Sequence, residues 1–134
     1  MKGSYILVIY IPKNIEIIIG ALGRILFNVG YYLYVGSGMG INGSATLENR
    51  VKRHLLPSNN KKIHWHIDYL LNNENSFIIK IYIIPSLVRL ECIIAAEIDA
   101  YSEKNVKDFG SSDCRCNSHL FYFKEFERFD YLKN

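Results

Sequence analysis

Cysteine is scarce in this chain. Three cysteines, two of them nearly adjacent as Cys114 and Cys116, are too few for a disulfide framework. The expectation is therefore a reducing, cytoplasmic location. Long apolar runs are missing too. The stretches 6–11, 15–19 and 77–84 fall well short of the roughly 18–20 residues that a membrane-spanning helix needs, so no membrane partner is expected. Lys2 leads directly into strand-like residues with no small-residue cleavage site, which argues against a signal peptide. In that setting Asn42-Gly43-Ser44 reads as a turn, not a glycosylation site. Strong charge is also lacking. A net charge of +3 and a pI near 8.7 are compatible with a polyanionic partner but do not demand one. The glycine-rich stretch 36–44 has no G-K-[ST] ending, which excludes a nucleotide-binding P-loop. Proline occurs three times, as Pro12, Pro57 and Pro85, and each closes a regular segment.

What the chain does have is apolar, β-branched and rich in tyrosine. With 134 residues, 49% hydrophobic and 22% charged, it has the composition of one folded domain covering 1–134. Residues 4–11 form a continuous apolar run and read as a buried strand. A second strand at 15–19 leads into a Gly20–Gly23 turn, and 24–35 is strand-like with a break near Asn28-Val29-Gly30. Residues 36–44 read as a loop, with Ser44 or Thr46 as the cap of a following helix in which Leu47, Val51 and Leu55 make a core stripe. A second helix covers 63–72, a strand 77–84, the longest helix 86–103, an irregular loop 108–117 and a final strand 118–126. The pattern predicts an α+β domain in which a small central antiparallel sheet is flanked by helices, with no internal repeat.

Four groups of residues carry the chemistry. The first is Tyr32-Leu33-Tyr34-Val35-Gly36-Ser37 followed by Glu48-Asn49-Arg50-Val51-Lys52-Arg53-His54. It reads as a strand ending in a tyrosine and a glycine, then a helix with Arg50 and His54 one turn apart on a shared face. A phenol, a guanidinium and an imidazole together suit phosphate chemistry. Lys52 and Arg53 read mainly as a solvated basic face. The second is the long helix. At about 100° per residue, Glu91 falls inside the stripe formed by Leu87, Ile94, Ala95 and Ile98. A carboxylate there needs a partner, either a divalent metal or an arginine such as Arg50; Glu97, at the stripe's edge, is the alternative. The third is polar and aromatic. His64, Trp65, His66, Asp68 and Tyr69 cluster on the second helix, which is either a capped, partly exposed helix or one whose His64 or His66 lines a cleft. In the fourth, Cys114, Cys116 and His119 offer soft ligands, but the C-x-C-x₂-H spacing has no evident fourth ligand, and this argues against zinc there.

Tyr34-Val35-Gly36 resembles the second half of the GIY-YIG nuclease signature, with Gly3-Ser4-Tyr5 standing where the first half would be. Gly110-Ser111-Ser112-Asp113-Cys114-Arg115-Cys116-Asn117-Ser118-His119-Leu120 resembles the C-terminal signature of a Uri-type endonuclease-like branch of small single-domain members. The distance from Tyr5 to Tyr34 exceeds that family's usual spacing, so the resemblance implies a hairpin inserted near residues 12–29. It also implies catalytic roles for Tyr34, Arg50, Tyr5 and His54, and one Mg²⁺ or Mn²⁺ on Glu91. Gly36, Ser37, Lys52, Arg53, His64, Asp113 and His119 would contact the substrate, with Ser112, Asp113 or His119 closing the site. The expected function is metal-dependent hydrolysis of nucleic-acid phosphodiesters, most readily DNA. The rival expectations are a nucleic-acid-binding module without turnover and a partner-binding protein with a Cys/His tail site.

Overall fold

The structure is a computed structural model and describes residues 1–57, 62–111 and 116–129. Strand β1 (Gly3–Ile11) is followed by a hairpin of β2 (Ile15–Ile18) and β3 (Arg24–Phe27), whose tip is a short 3₁₀ turn at Gly20–Leu22. Strand β4 (Gly30–Gly38) leads through a second 3₁₀ turn at Gly43–Ala45 into helix α1 (Leu47–Leu55) and then α2 (His66–Leu71). Next come β5 (Phe77–Pro85), helix α3 (Glu91–Tyr101), the two-residue strand β6 (Lys104–Asn105) and β7 (Leu120–Phe123).

The main sheet is antiparallel throughout, in the order β5-β1-β4-β7-β6, and β2-β3 forms a separate two-stranded sheet. This is the expected α+β architecture. Segment 12–29 holds the expected hairpin, and β7 is the expected final strand, shorter than the 118–126 read from sequence. Strand β1 sits between β5 and β4 and is apolar on both faces because both faces are covered. Its odd residues Tyr5, Leu7, Ile9 and Ile11 pack with Leu47, Ile67, Leu70 and the hairpin residues Ile17, Ile19 and Phe27. Its even residues Ile6 and Val8 pack with Ala95 and Ile98 of α3 and with Phe121 and Phe123 of β7. Each such aliphatic side chain contributes about 1.5–3 kcal/mol relative to exposure. No helix among the described residues is long and apolar enough to cross a membrane.

Local chemistry sets the boundaries. Thr46 caps α1, its Oγ1 accepting the Asn49 backbone N–H at 3.2 Å. Three expectations need correction. The glycine-rich stretch from Gly36 does not start as a loop, because β4 continues through Gly38 in register with Gly3 of β1. Leu55 is exposed, and the inward stripe of α1 runs Leu47, Val51, His54, the i, i+4, i+7 row of a helix. Leu87 is exposed as well: a turn closed by Ser86 Oγ on Val88 holds it outside α3, which begins only at Glu91. At the other end Ser102 turns extended and residues 104–105 pair with β7.

Candidate active site

The start of β1 and the end of β4 are paired, with Tyr5 opposite Gly36. A β-carbon at Gly36 would run into the Tyr5 phenol, so glycine at this position makes room for the ring. Gly36 thus serves the site through close approach in mid-strand rather than through a turn. Tyr34, one pleat earlier on the same face, lies 6.4 Å from Tyr5 between ring centroids, and its other side packs edge-on against Phe109 at 6.2 Å. Helix α1 crosses this face and delivers His54, whose Nε2 is 2.7 Å from the Tyr5 hydroxyl. Its Arg50, one turn earlier, donates from Nη1 to the Ser37 carbonyl at 3.2 Å. The guanidinium carbon lies 5.2 Å from the centre of the Trp65 ring. Arg50 Nε is buried and has no hydrogen-bond partner among the described residues.

Glu91 opens α3 and reaches the same place from the opposite face of the sheet. Its Oε1 accepts from Ser37 Oγ at 2.9 Å and lies 3.5 Å from Arg89 Nη1. Arg89 Nη1 also donates to Ser37 Oγ at 3.0 Å. The other carboxylate oxygen, Oε2, is 2.9 Å from Nδ1 of the buried His119. Tyr5, Tyr34, Arg50, Trp65 and Glu91 line one cleft of about 270 Å³, with His64, His66 and Arg89 at its walls.

The electrostatics differ sharply across this cleft. Burial pushes the Tyr5 phenol well above its ordinary range, and nearby Arg50 offsets only part of that rise. Burial does the same to Tyr34, helped by the neighbouring Tyr5. Both phenols are therefore protonated at neutral pH. Glu91 is the reverse case: burial would raise its carboxyl, but His119, Ser37 and Arg89 together bring it below the usual carboxylate value. Burial also lowers the His66 imidazole. Its Nδ1 accepts the Gly110 backbone N–H at 2.9 Å, so the neutral ring carries its proton on Nε2.

Of the residues expected from sequence, Tyr5, Tyr34, Gly36, Ser37, Arg50, His64 and Glu91 line the cleft together. His54 stands behind Tyr5 rather than in the cleft. Arg53 is engaged elsewhere: it makes a two-pronged pair with the buried Asp68 at 2.8 Å per contact, donates to the Lys62 carbonyl at 2.7 Å, and stacks on Trp65 at 4.4 Å. Asp68 also accepts the backbone N–H groups of His64 and Trp65, which starts α2. Lys52 is exposed on α1 and Glu97 is exposed on α3. Glu97 borders a different cavity, beside Ile6, Tyr82 and Phe129. His119 lies behind Glu91, while Ser112, Asp113 and Cys114 fall outside the described residues. Sequence reasoning gave no site role to Arg89 or Gly110. The only local signal for Arg89 is its place two residues before Glu91, at the mouth of the same helix.

Residues 4–133 match the family described as domain of unknown function DUF123, and the chain belongs to that family. No curated protein and no solved structure matches it.

Proposed function

We propose that the chain is a metal-dependent endonuclease that hydrolyses phosphodiester bonds of nucleic acid, DNA foremost. One observation carries this reading: two phenols, a guanidinium and an ionised carboxylate, drawn from β1, β4, α1 and α3, converge on a single polar cleft. The resemblance of Tyr34-Val35-Gly36, Arg50 and Glu91 to the GIY-YIG signature supports the same assignment.

Glu91 suits a hard divalent cation. Its carboxylate is ionised, and its two oxygens retain acceptor capacity beyond Ser37 and His119. A single carboxylate is an ordinary protein contribution for Mg²⁺ or Mn²⁺, which keep several waters and take substrate phosphate oxygens. Bound there, such an ion would supply Lewis-acid stabilisation of the charge that builds on the phosphate. The remaining roles belong to the protein. Arg50, fixed by Ser37 and Trp65, would direct its unpartnered Nε and its free edge at the scissile phosphate and neutralise developing charge. Tyr34 and Tyr5 would orient the attacking water. His54, within hydrogen-bond distance of Tyr5, would take up the proton that passes through the phenol, because a free phenolate is not accessible at neutral pH in this environment.

A second reading rests on Arg89. A cation 3.5 Å from Glu91 competes with a divalent ion, and a cleft walled by Arg50 and Arg89 could bind phosphates without cleaving them. One experiment separates the two. Nicked, branched and single-stranded DNA are incubated with the purified chain, with and without Mn²⁺, alongside Glu91→Gln. Metal-dependent cleavage that disappears in Glu91→Gln while binding persists is the expected result. Binding without cleavage by the wild type under all conditions supports the second reading. Full activity of Glu91→Gln overturns the role given to that residue.

A further inference from the structure

Behind Glu91 the structure gathers a second set of ligating groups. Cys92 is the second residue of α3, and Cys116 and His119 precede β7. Their ligating atoms all lie within 4.8 Å of one another. In a tetrahedral zinc site, bond lengths of about 2.3 Å to sulfur and 2.0–2.1 Å to nitrogen place the ligand atoms roughly 3.5–3.8 Å apart. Side-chain rotations of about an ångström would therefore close these three around one ion. We infer that Cys92, Cys116 and His119 form a zinc site that anchors His119 behind Glu91.

Four further observations point the same way. The donor set is two sulfurs and an imidazole, which selects zinc over the hard Mg²⁺ or Mn²⁺ suited to Glu91. His119 turns Nδ1 towards Glu91 Oε2 at 2.9 Å, so a metal on this ring would bind through Nε2. That is the carboxylate–histidine–metal arrangement that fixes the tautomer and the plane of a ligating imidazole. The backbone holding His119 is also pinned on both sides: its N–H donates to the Phe109 carbonyl at 2.8 Å, and its carbonyl accepts the Val35 N–H at 2.9 Å. A cavity of about 370 Å³, bordered by Cys92, Cys116 and Asp99, gives solvent and an ion a route in and leaves room for water as a fourth ligand. Cys92 is what the sequence pattern conceals. It lies far from Cys116 along the chain, and the fold alone brings them together.

Binding would displace one proton from each thiol and leave a zinc dithiolate with neutral His119, so charge and protons balance. The ion would tie the first turn of α3 to the start of β7 and hold the Nδ1–H of His119 on Glu91. The inference rests on the nuclease reading only for its effect on cleavage; zinc binding is measured independently.

The test uses the full chain expressed with zinc in the medium. Native mass spectrometry and elemental analysis should find one zinc per chain. Replacement by Co²⁺ should give the visible bands of a tetrahedral ion together with sulfur-to-cobalt charge-transfer absorption. Cys92→Ser and Cys116→Ser should each lose stoichiometric zinc. Glu91→Gln, which leaves the ligands in place, should retain it with affinity weakened by about tenfold. If the serine variants do not fold, peptide-level alkylation of the wild type decides: Cys92 and Cys116 should be protected with zinc present and modified after chelation. Wild type that carries no zinc and shows no thiolate–cobalt absorption overturns the proposal. So does a disulfide between Cys92 and Cys116, or unchanged zinc content in Cys92→Ser. A zinc-bound chain that never cleaves DNA keeps this site and removes the nuclease reading.

Discussion

The hydroxyl of Tyr5 and Nε2 of His54 lie 2.7 Å apart, with both residues almost wholly withdrawn from solvent. Two titratable groups are thereby joined, Tyr5 on a strand in the cleft wall and His54 on a helix behind it. Tyr5→Phe removes only the oxygen. The cleavage rate should fall by about 100-fold or more, the usual contribution of a positioned proton-transfer group. Stability should fall by about 1–3 kcal/mol, because His54 Nε2 loses its buried partner. Single-turnover cleavage and urea unfolding measure the two effects separately. A fully active Tyr5→Phe would remove Tyr5 from the mechanism.

Gly36 and Tyr5 should be energetically coupled. Gly36→Ala places a methyl group against the phenol ring and should cost about 1–3 kcal/mol through overpacking. In a Tyr5→Ala background the same change should cost close to nothing, because the obstructing ring is gone. A double-mutant cycle by urea denaturation reads this non-additivity. Equal costs in both backgrounds would show that the glycine is needed for some other reason.

Trp65 is the single tryptophan of the chain and packs against the Arg50 guanidinium. An oligonucleotide that engages Arg50 should alter tryptophan fluorescence. The change should vanish in Arg50→Ala. Arg50→Lys should keep much of the binding yet cleave about 100-fold more slowly, since an ammonium cannot reproduce the planar fork of donors. A fluorescence response that survives Arg50→Ala would place the substrate elsewhere.

Asp68 makes fold stability depend on pH. Its carboxyl is buried, which alone would raise its pKa, but the Arg53 pair and the His64 and Trp65 N–H groups bring it below the ordinary value of 3.8. With the folded value the lower of the two, its stabilisation is fully present above about pH 4 and is lost as pH falls through the folded value. Asp68→Asn should cost about 3 kcal/mol at pH 7, as for breaking a buried pair from one side. The gap between wild type and variant should narrow towards pH 3. A gap independent of pH would mean that Asp68 acts through shape alone.

Much of the scaffold was legible in the chain, and the reasons are local. Ile-rich runs bounded by Pro12, Gly20, Gly30 and Pro85 marked β1 to β5, because β-branched stretches and turn residues act at short range. Ser44 or Thr46 marked the start of α1 for the same reason, and the cap is Thr46. Arg50 and Glu91 could be placed on helices and given facing directions by phase alone. What phase does not carry is the choice between adjacent rows, so Leu55 was placed inward where His54 belongs. Nor could the chain announce the partners of Glu91. Ser37 and His119 come from β4 and the segment before β7, and no spacing rule joins them to Glu91; only Arg89, two residues before it in the loop leading to α3, is near in sequence. The strand β6 went unseen because two residues show no period.

Because Tyr5 and Gly36 are rungs of one antiparallel ladder, the number of residues between them is not a coordinate of the site. The β2–β3 hairpin lies between them in sequence, and residues added at its exposed tip, at Ala21, leave the rungs of the main ladder in register. That makes the tip a graft point. A targeting peptide or a separate binding module spliced there would extend the protein's reach and leave its cleft as it stands.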